Sequence, residues 1–64
     1  MNEWQQRVVA EKAELCERIA KLRQCMVTAE FAALACIDRK LISNQEHYMQ
    51  EYADTLGERI ARFK

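Results

Sequence analysis

Apolar residues follow one face of a helix through the first third of the chain. Their spacing of three, four and seven residues is typical of an amphipathic α-helix. Acidic residues concentrate early in this segment and basic residues late, which complements the helix dipole. The pattern predicts a helix from Glu3 to about Met26, with Lys12 as a charge on its apolar face. The apolar positions are Trp4, Val8, Leu15, Ile19, Leu22 and Met26.

A seven-residue repeat marks the second half of the chain, and such a repeat is typical of helices that pack at shallow angles. It predicts a second helix that begins at Asp38 or just before it. Gly57 lies inside this helix at a cost of about 1 kcal/mol relative to alanine. It either lets a second backbone or a ligand come close, or is a tolerated surface glycine. The repeat comprises Ile42, Met49, Leu56 and Phe63, with Gln45, Tyr52 and Arg59 on the adjacent row and Ala53 and Ile60 beside them.

The segment from Val27 to about Ile37 is predicted to connect the two helices. The hydroxyl of Thr28 can cap a short helical turn there, and Phe31 and Leu34 are expected to pack beneath the hairpin. The fold class is therefore all-α: an antiparallel two-helix hairpin with a short connecting helical turn, forming a single domain over residues 1–64.

Two helices cannot enclose a core of their own. A domain below about 70–80 residues gains only a few kcal/mol from its interior, and this chain has 64 residues with one glycine and no proline. The sequence offers no disulfide framework or metal cluster as a substitute. We therefore expect a homo-oligomer, with any binding site between subunits.

Composition and charge narrow the function classes. Ten basic and ten acidic side chains cancel, so no overall positive field exists to hold long nucleic acid. The longest apolar run, 31–37, is far short of the ~20 residues of a membrane span, and the N-terminus lacks signal-peptide features. We expect a cytosolic protein. Cys16, Cys25 and Cys36 are odd in number and form no CxxC pair, so we interpret them as small apolar packing residues with no metal or cofactor.

No catalytic constellation is present, and a single glycine excludes a glycine-rich phosphate loop, so no enzyme is predicted. Binding is more plausible. Lys12, Lys21 and Arg59 lie at or beside the apolar rows, where they either reach across an interface to a phosphate or cover apolar surface with their heads in water. Trp4 and Tyr52 offer flat faces for a nucleobase, or belong to the core.

Two long stretches, Asn2–Leu15 and Tyr52–Phe63, resemble a family of short bacteriophage proteins that includes the anti-CBASS cyclic-oligonucleotide sponges. These are related to the anti-Thoeris sponges by a shared helical hairpin. The middle of the chain matches more loosely, through Phe31–Leu34 and Gln45–Met49. The resemblance implies a compact homohexamer in the host cytoplasm that sequesters cyclic nucleotide messengers of bacterial immunity without hydrolysing them. The downstream effector is then deprived of its activating ligand.

The resemblance also implies where ligands bind. Cyclic dinucleotides would lie in pockets between protomers, with a residue near the start of the first helix against the base and a later lysine on the phosphate. Cyclic trinucleotides would occupy separate pockets. The implied dinucleotide residues are Trp4, Arg7, Val8 and Lys21, and the implied trinucleotide residues are Thr28 and Arg59; Lys12 is added as a cation on the apolar face.

Two other functions stay open on the sequence. The hairpin could pair into a four-helix bundle that binds structured RNA, although acidic residues on both helices argue against a basic face. It could also be a purely structural or protein-binding hairpin whose cations are all solvated.

Overall fold

The computed structural model describes residues 2–63 and contains three helices: α1 (Glu3–Met26), α2 (Ala29–Ala32) and α3 (Cys36–Ala61). The helix α1 begins with a reciprocal cap. The side chain of Asn2 accepts a 3.0 Å hydrogen bond from the backbone N–H of Gln5, and the Gln5 side chain accepts one of 3.1 Å from the backbone N–H of Asn2. These bonds satisfy donors that would otherwise lack helical partners. The predicted bounds of the first helix are confirmed.

Thr28 organises the connector. Its hydroxyl donates to the Cys25 carbonyl at 2.7 Å and accepts from the Phe31 N–H at 3.2 Å, so one side chain joins the end of α1 to the start of α2. The predicted helical turn is confirmed. Phe31 is half-buried as expected, but the prediction for Leu34 is wrong because this residue is exposed. The helix α2 ends at Ala32, so Leu34 lies beyond the turn and does not continue the face of Phe31.

The long helices α1 and α3 pack antiparallel. At the connector end, Arg23 of α1 contacts Glu46 of α3. At the other end, called the open end here, Trp4 of α1 contacts Phe63, which follows α3. The resulting hairpin is a rod of 47 × 15 × 13 Å. The two predicted helices and their packing are therefore confirmed.

The core of this rod is thin. Of the predicted seven-residue repeat, Leu56 is buried, and Met49 and Phe63 pack against the buried residues, as does Ile60 beside the repeat. In the adjacent row, Tyr52 lies outside the core and is 47% exposed. No helix within residues 2–63 is long and apolar enough to cross a membrane. The buried side chains are Val8, Leu15, Ile19, Ala53 and Leu56.

Candidate functional site

The residues predicted to bind ligand fall at the two ends of the hairpin. Because α1 rises 1.5 Å per residue, Trp4 and Lys21 are about 25 Å apart along its axis. Within one hairpin these two side chains do not share a pocket. The open end holds Trp4, Arg7, Val8 and Lys12 from α1 and Arg59 from α3, and the connector end holds Lys21 and Thr28.

Trp4 provides an aromatic surface at the open end. Its ring meets that of Phe63 at a centroid distance of 5.2 Å and an interplanar angle of 80°. This edge-to-face contact is favourable for aromatic rings, and 52% of Trp4 stays exposed. The indole is therefore anchored by one ring and accessible to another.

The neighbours of Trp4 differ in how available they are. Arg7 forms a 2.7 Å ion pair with Glu3 one turn earlier, and both side chains are largely exposed. Such a pair is weak in water, so the guanidinium can exchange partners readily. Val8 is only 6% exposed and belongs to the core. It supports the position of Trp4 but offers almost no surface to a ligand.

Lys12 lies across Gly57. A Cβ at position 57 would come within 3.2 Å of Lys12 Nζ and 3.5 Å of its Cε, so the missing side chain makes room for the lysine. Both residues are half-buried. Within the hairpin, the atoms closest to Gly57 are those at the end of the Lys12 side chain. Sequence reasoning identified Lys12 and Gly57 as unusual separately and did not predict that the Lys12 side chain lies against Gly57.

The ammonium of Lys12 has no hydrogen bond or ion pair with any residue in the range 2–63. Partial burial weakens its hydration, and no carboxylate compensates. An anionic group would supply the missing partner. Among the cations proposed from the sequence, Lys12 is therefore the one whose surroundings most favour an anion.

Arg59 is exposed and lies on another side of α3. It follows Gly57 by two residues, and two residues turn an α-helix by about 200°. Arg59 therefore points away from Lys12 and cannot share a ligand with it inside one hairpin.

At the connector end, Lys21 is exposed, while the Thr28 hydroxyl is already engaged in capping. Arg23, which sequence reasoning did not single out, binds Glu46 through Nε at 3.0 Å and through a terminal nitrogen at 2.8 Å. The same terminal nitrogen lies 2.7 Å from the Gln50 oxygen. This network links the two long helices and leaves Lys21 as the candidate cation of the connector end.

The cysteines do not pack as expected. Cys16, Cys25 and Cys36 are all free and exposed, so the interpretation as packing residues is wrong. They fall outside the buried row of α1 and the facing row of α3. Within residues 2–63, no group of three or more His, Cys, Asp or Glu side chains could hold a metal ion.

A shallow apolar groove runs along the outer face of α3, with a volume of about 560 Å³. Sequence reasoning named Tyr52 as a candidate ligand contact and Gln45 and Met49 only as parts of the helical repeat. The signal that could have found the rest is the recurrence of Leu41, Tyr48 and Tyr52 at helical spacing. The groove is lined by Leu41, Asn44, Gln45, Tyr48, Met49 and Tyr52.

Comparisons with known proteins give a relative of this chain and its family. The chain is 33% identical, over the whole length of both proteins, to an uncharacterised 7.5 kDa protein from the denB-rIIB intergenic region of Enterobacteria phage T4. No solved structure matches it significantly. The model of the Sequestin family matches residues 2–62, which is nearly the entire chain. The chain therefore belongs to the Sequestin family.

Proposed function

We propose that this protein is a phage anti-immune protein that binds and sequesters cyclic nucleotide second messengers in the host cytoplasm. It holds cyclic dinucleotides and, in separate pockets, cyclic trinucleotides, without hydrolysing them, and so prevents activation of CBASS effectors. Membership of the Sequestin family and the likeness to a phage protein support sequestration in a phage context. The open end of the hairpin supports an anionic, base-containing ligand.

The observation that carries the proposal is the combination of Trp4 and Lys12. A half-exposed indole can stack on a nucleobase, and an unpaired, half-buried ammonium can bind a phosphate. The two residues are about 12 Å apart along α1. Stacking contributes about 1–3 kcal/mol per base, and a charge-assisted contact about 1.5–3 kcal/mol. Few other ligand classes present both a flat ring and a phosphate.

The proposed dinucleotide site combines residues from different copies of the chain. Trp4 and Lys21 are too far apart in one hairpin to hold a single cyclic dinucleotide, and Arg59 points away from Lys12. A two-fold interface supplies each contact twice, and a cyclic dinucleotide carries two bases and two phosphates. Binding between protomers of a homohexamer therefore fits both the ligand and the separation of the candidate residues.

Calorimetric titration of the purified protein against a panel of cyclic dinucleotides and trinucleotides tests the proposal. We expect at least one of them to bind with submicromolar affinity and to raise the melting temperature by several degrees. Recovery of the intact nucleotide after heating would show that it is held and not hydrolysed. Absence of binding across the panel, and with cyclic ADP-ribose isomers, would refute the proposal.

Two charge-removing variants separate a specific contact from overall charge. Lys12→Met should weaken binding by about 1.5–3 kcal/mol, since it removes one charge-assisted contact. The matched control is Arg18→Met, which removes an exposed cation from the same helix and should leave the affinity within about twofold of the wild type. Equal losses in the two variants would mean that Lys12 acts only through net charge.

A further inference from the structure

The outer face of α3 carries a continuous apolar stripe that lies outside the hairpin core. Ile37, Leu41, Tyr48 and Tyr52 are exposed by 61%, 57%, 66% and 47%. From Ile37 to Tyr52 the stripe extends over about 22 Å of helix. Isolated exposed apolar residues are normal, but four aligned along one helix face form a patch that proteins usually cover.

The stripe is self-complementary. The positions of the stripe are symmetric about a midpoint between Asn44 and Gln45. A two-fold rotation about this midpoint therefore exchanges Ile37 with Tyr52 and Leu41 with Tyr48. The two amide residues at the centre exchange with each other. A second α3 laid antiparallel across the first therefore places an aliphatic side chain against each tyrosine and an amide against an amide. Self-complementarity of this kind is the requirement for a two-fold interface.

Charges beside the stripe favour the same direction. Lys40 lies next to its N-terminal half and Glu51 next to its C-terminal half. Antiparallel pairing about this midpoint brings Lys40 to the same side of the interface as the partner's Glu51, and opposite charges attract. Glu51 is within 3.2 Å of His47 on its own helix, and all three side chains are exposed, so they remain free to adjust.

The exposed area of the stripe is close to that of a small interface between two copies. A buried aromatic side chain contributes about 150–250 Å², so the exposed parts of the four stripe residues amount to roughly 400–500 Å² per copy. Two copies would thus bury about 800–1,000 Å², and the lower bound for a specific interface is about 1,000 Å². A second copy of the chain is always available as a partner. Only five side chains within residues 2–63 are buried, so covering the stripe would add to a thin core.

We infer that the stripe Ile37–Tyr52 of α3 pairs antiparallel with the same stripe of a second copy, about a two-fold axis between Asn44 and Gln45. The central amides then set the register, as single buried polar residues do between paired helices. This inference deepens the proposed function, which rests on shared pockets, but it needs no nucleotide. The groove lined by Leu41, Tyr48 and Tyr52 covers most of this stripe.

Sedimentation velocity without nucleotide, at micromolar concentrations, tests the pairing. The wild type should sediment with at least twice the chain mass of 7.5 kDa. Tyr48→Glu should weaken self-association at least tenfold, because it places a carboxylate against the partner's Leu41 in an apolar contact. Val27→Glu is the matched control, since Val27 is even more exposed, at 86%, but lies in the connector, and it should keep the wild-type mass.

Site-specific crosslinking tests the register without destabilising the assembly. The three exposed cysteines are replaced by serine, and a single cysteine is introduced. Asn44→Cys lies at the proposed axis and should be joined rapidly to its symmetry mate by a short bismaleimide. Ser43→Cys is exposed on a different side of the helix and should crosslink at least tenfold more slowly.

Three results would overturn the inference: a monomeric wild type, an unchanged mass for Tyr48→Glu, or equal crosslinking at positions 43 and 44. Each is read without nucleotide, so it is distinct from a failure to bind messengers. If stripe pairing holds but no nucleotide binds, only the proposed function is wrong. If nucleotides bind while Tyr48→Glu keeps the wild-type mass, the copies assemble through another face.

Discussion

Gly57→Ala is expected to stabilise the hairpin. The new Cβ would lie 3.2 Å from Lys12 Nζ and 3.5 Å from Cε, and these atoms are the far end of a flexible side chain. Moving the ammonium toward water costs less than about 0.5 kcal/mol, as for most surface changes. Alanine meanwhile recovers about 0.8–1 kcal/mol that glycine loses inside a helix. The expected net gain is about 0.5–1 kcal/mol.

Thermal unfolding followed by circular dichroism measures this gain. For a domain of 60–100 residues, 1 kcal/mol shifts Tm by about 4–8 °C, so Gly57→Ala should raise Tm by about 2–8 °C. Protein concentration must be fixed, because self-association makes Tm depend on it. If Lys12 binds the ligand, Gly57→Ala should also weaken nucleotide binding, because the new Cβ moves the Lys12 ammonium away from its position beside residue 57.

Measuring Gly57→Ala in a Lys12→Ala background checks whether Lys12 is the side chain that the new Cβ meets. Without the lysine head group, the clash at position 57 disappears, and Gly57→Ala should gain a few tenths of a kcal/mol more than in the wild type. The reasoning is refuted if Gly57→Ala lowers stability by more than 1 kcal/mol in both backgrounds. That result would mean that another backbone, and not Lys12, presses against this position.

Three further substitutions test the packing of the hairpin. Leu56→Ala should lower the free energy of unfolding, measured with urea, by about 2–5 kcal/mol, because Leu56 is 1% exposed. A loss below about 1 kcal/mol would mean that Leu56 does not belong to the core. Thr28→Ala should cost about 1 kcal/mol in thermal unfolding by removing a helix cap, and Thr28→Ser should restore most of it. Arg23→Ala should cost at most about 1 kcal/mol, since Arg23 is 54% and Glu46 22% exposed. The stability lost in Arg23→Ala should be smaller in high salt, which screens the ion pair with Glu46. An equal loss in high salt would mean that Arg23 stabilises the hairpin through packing of its side chain.

The long helices could be predicted because their signals are local. Spacing alone located Val8, Leu15 and Ile19 on one face of α1, and all three are buried. Thr28 marked the connector turn because a hydroxyl before a helix accepts a nearby N–H. Trp4 follows the same spacing yet is half exposed, since the hairpin is only two helices thick at its open end.

Contacts between the helices could not be predicted in the same way. Lys12 and Gly57 are far apart in sequence and meet only because of the register in which α1 packs on α3. Each is unusual by itself, but no local pattern connects them. On α3, two apolar rows compete to face α1, and spacing does not decide between Met49 and Tyr52. The row of Met49 packs inward, and Tyr52 stays on the outer stripe.

The small number of buried side chains has an evolutionary consequence. Among residues 2–63, five are buried, and of these only Leu56 is almost completely enclosed. Surface substitutions away from such positions usually change stability by less than about 0.5 kcal/mol, so the hairpin restricts few positions of its sequence. A member of the same family can therefore differ at most positions, as the T4 protein does at 33% identity over the whole length.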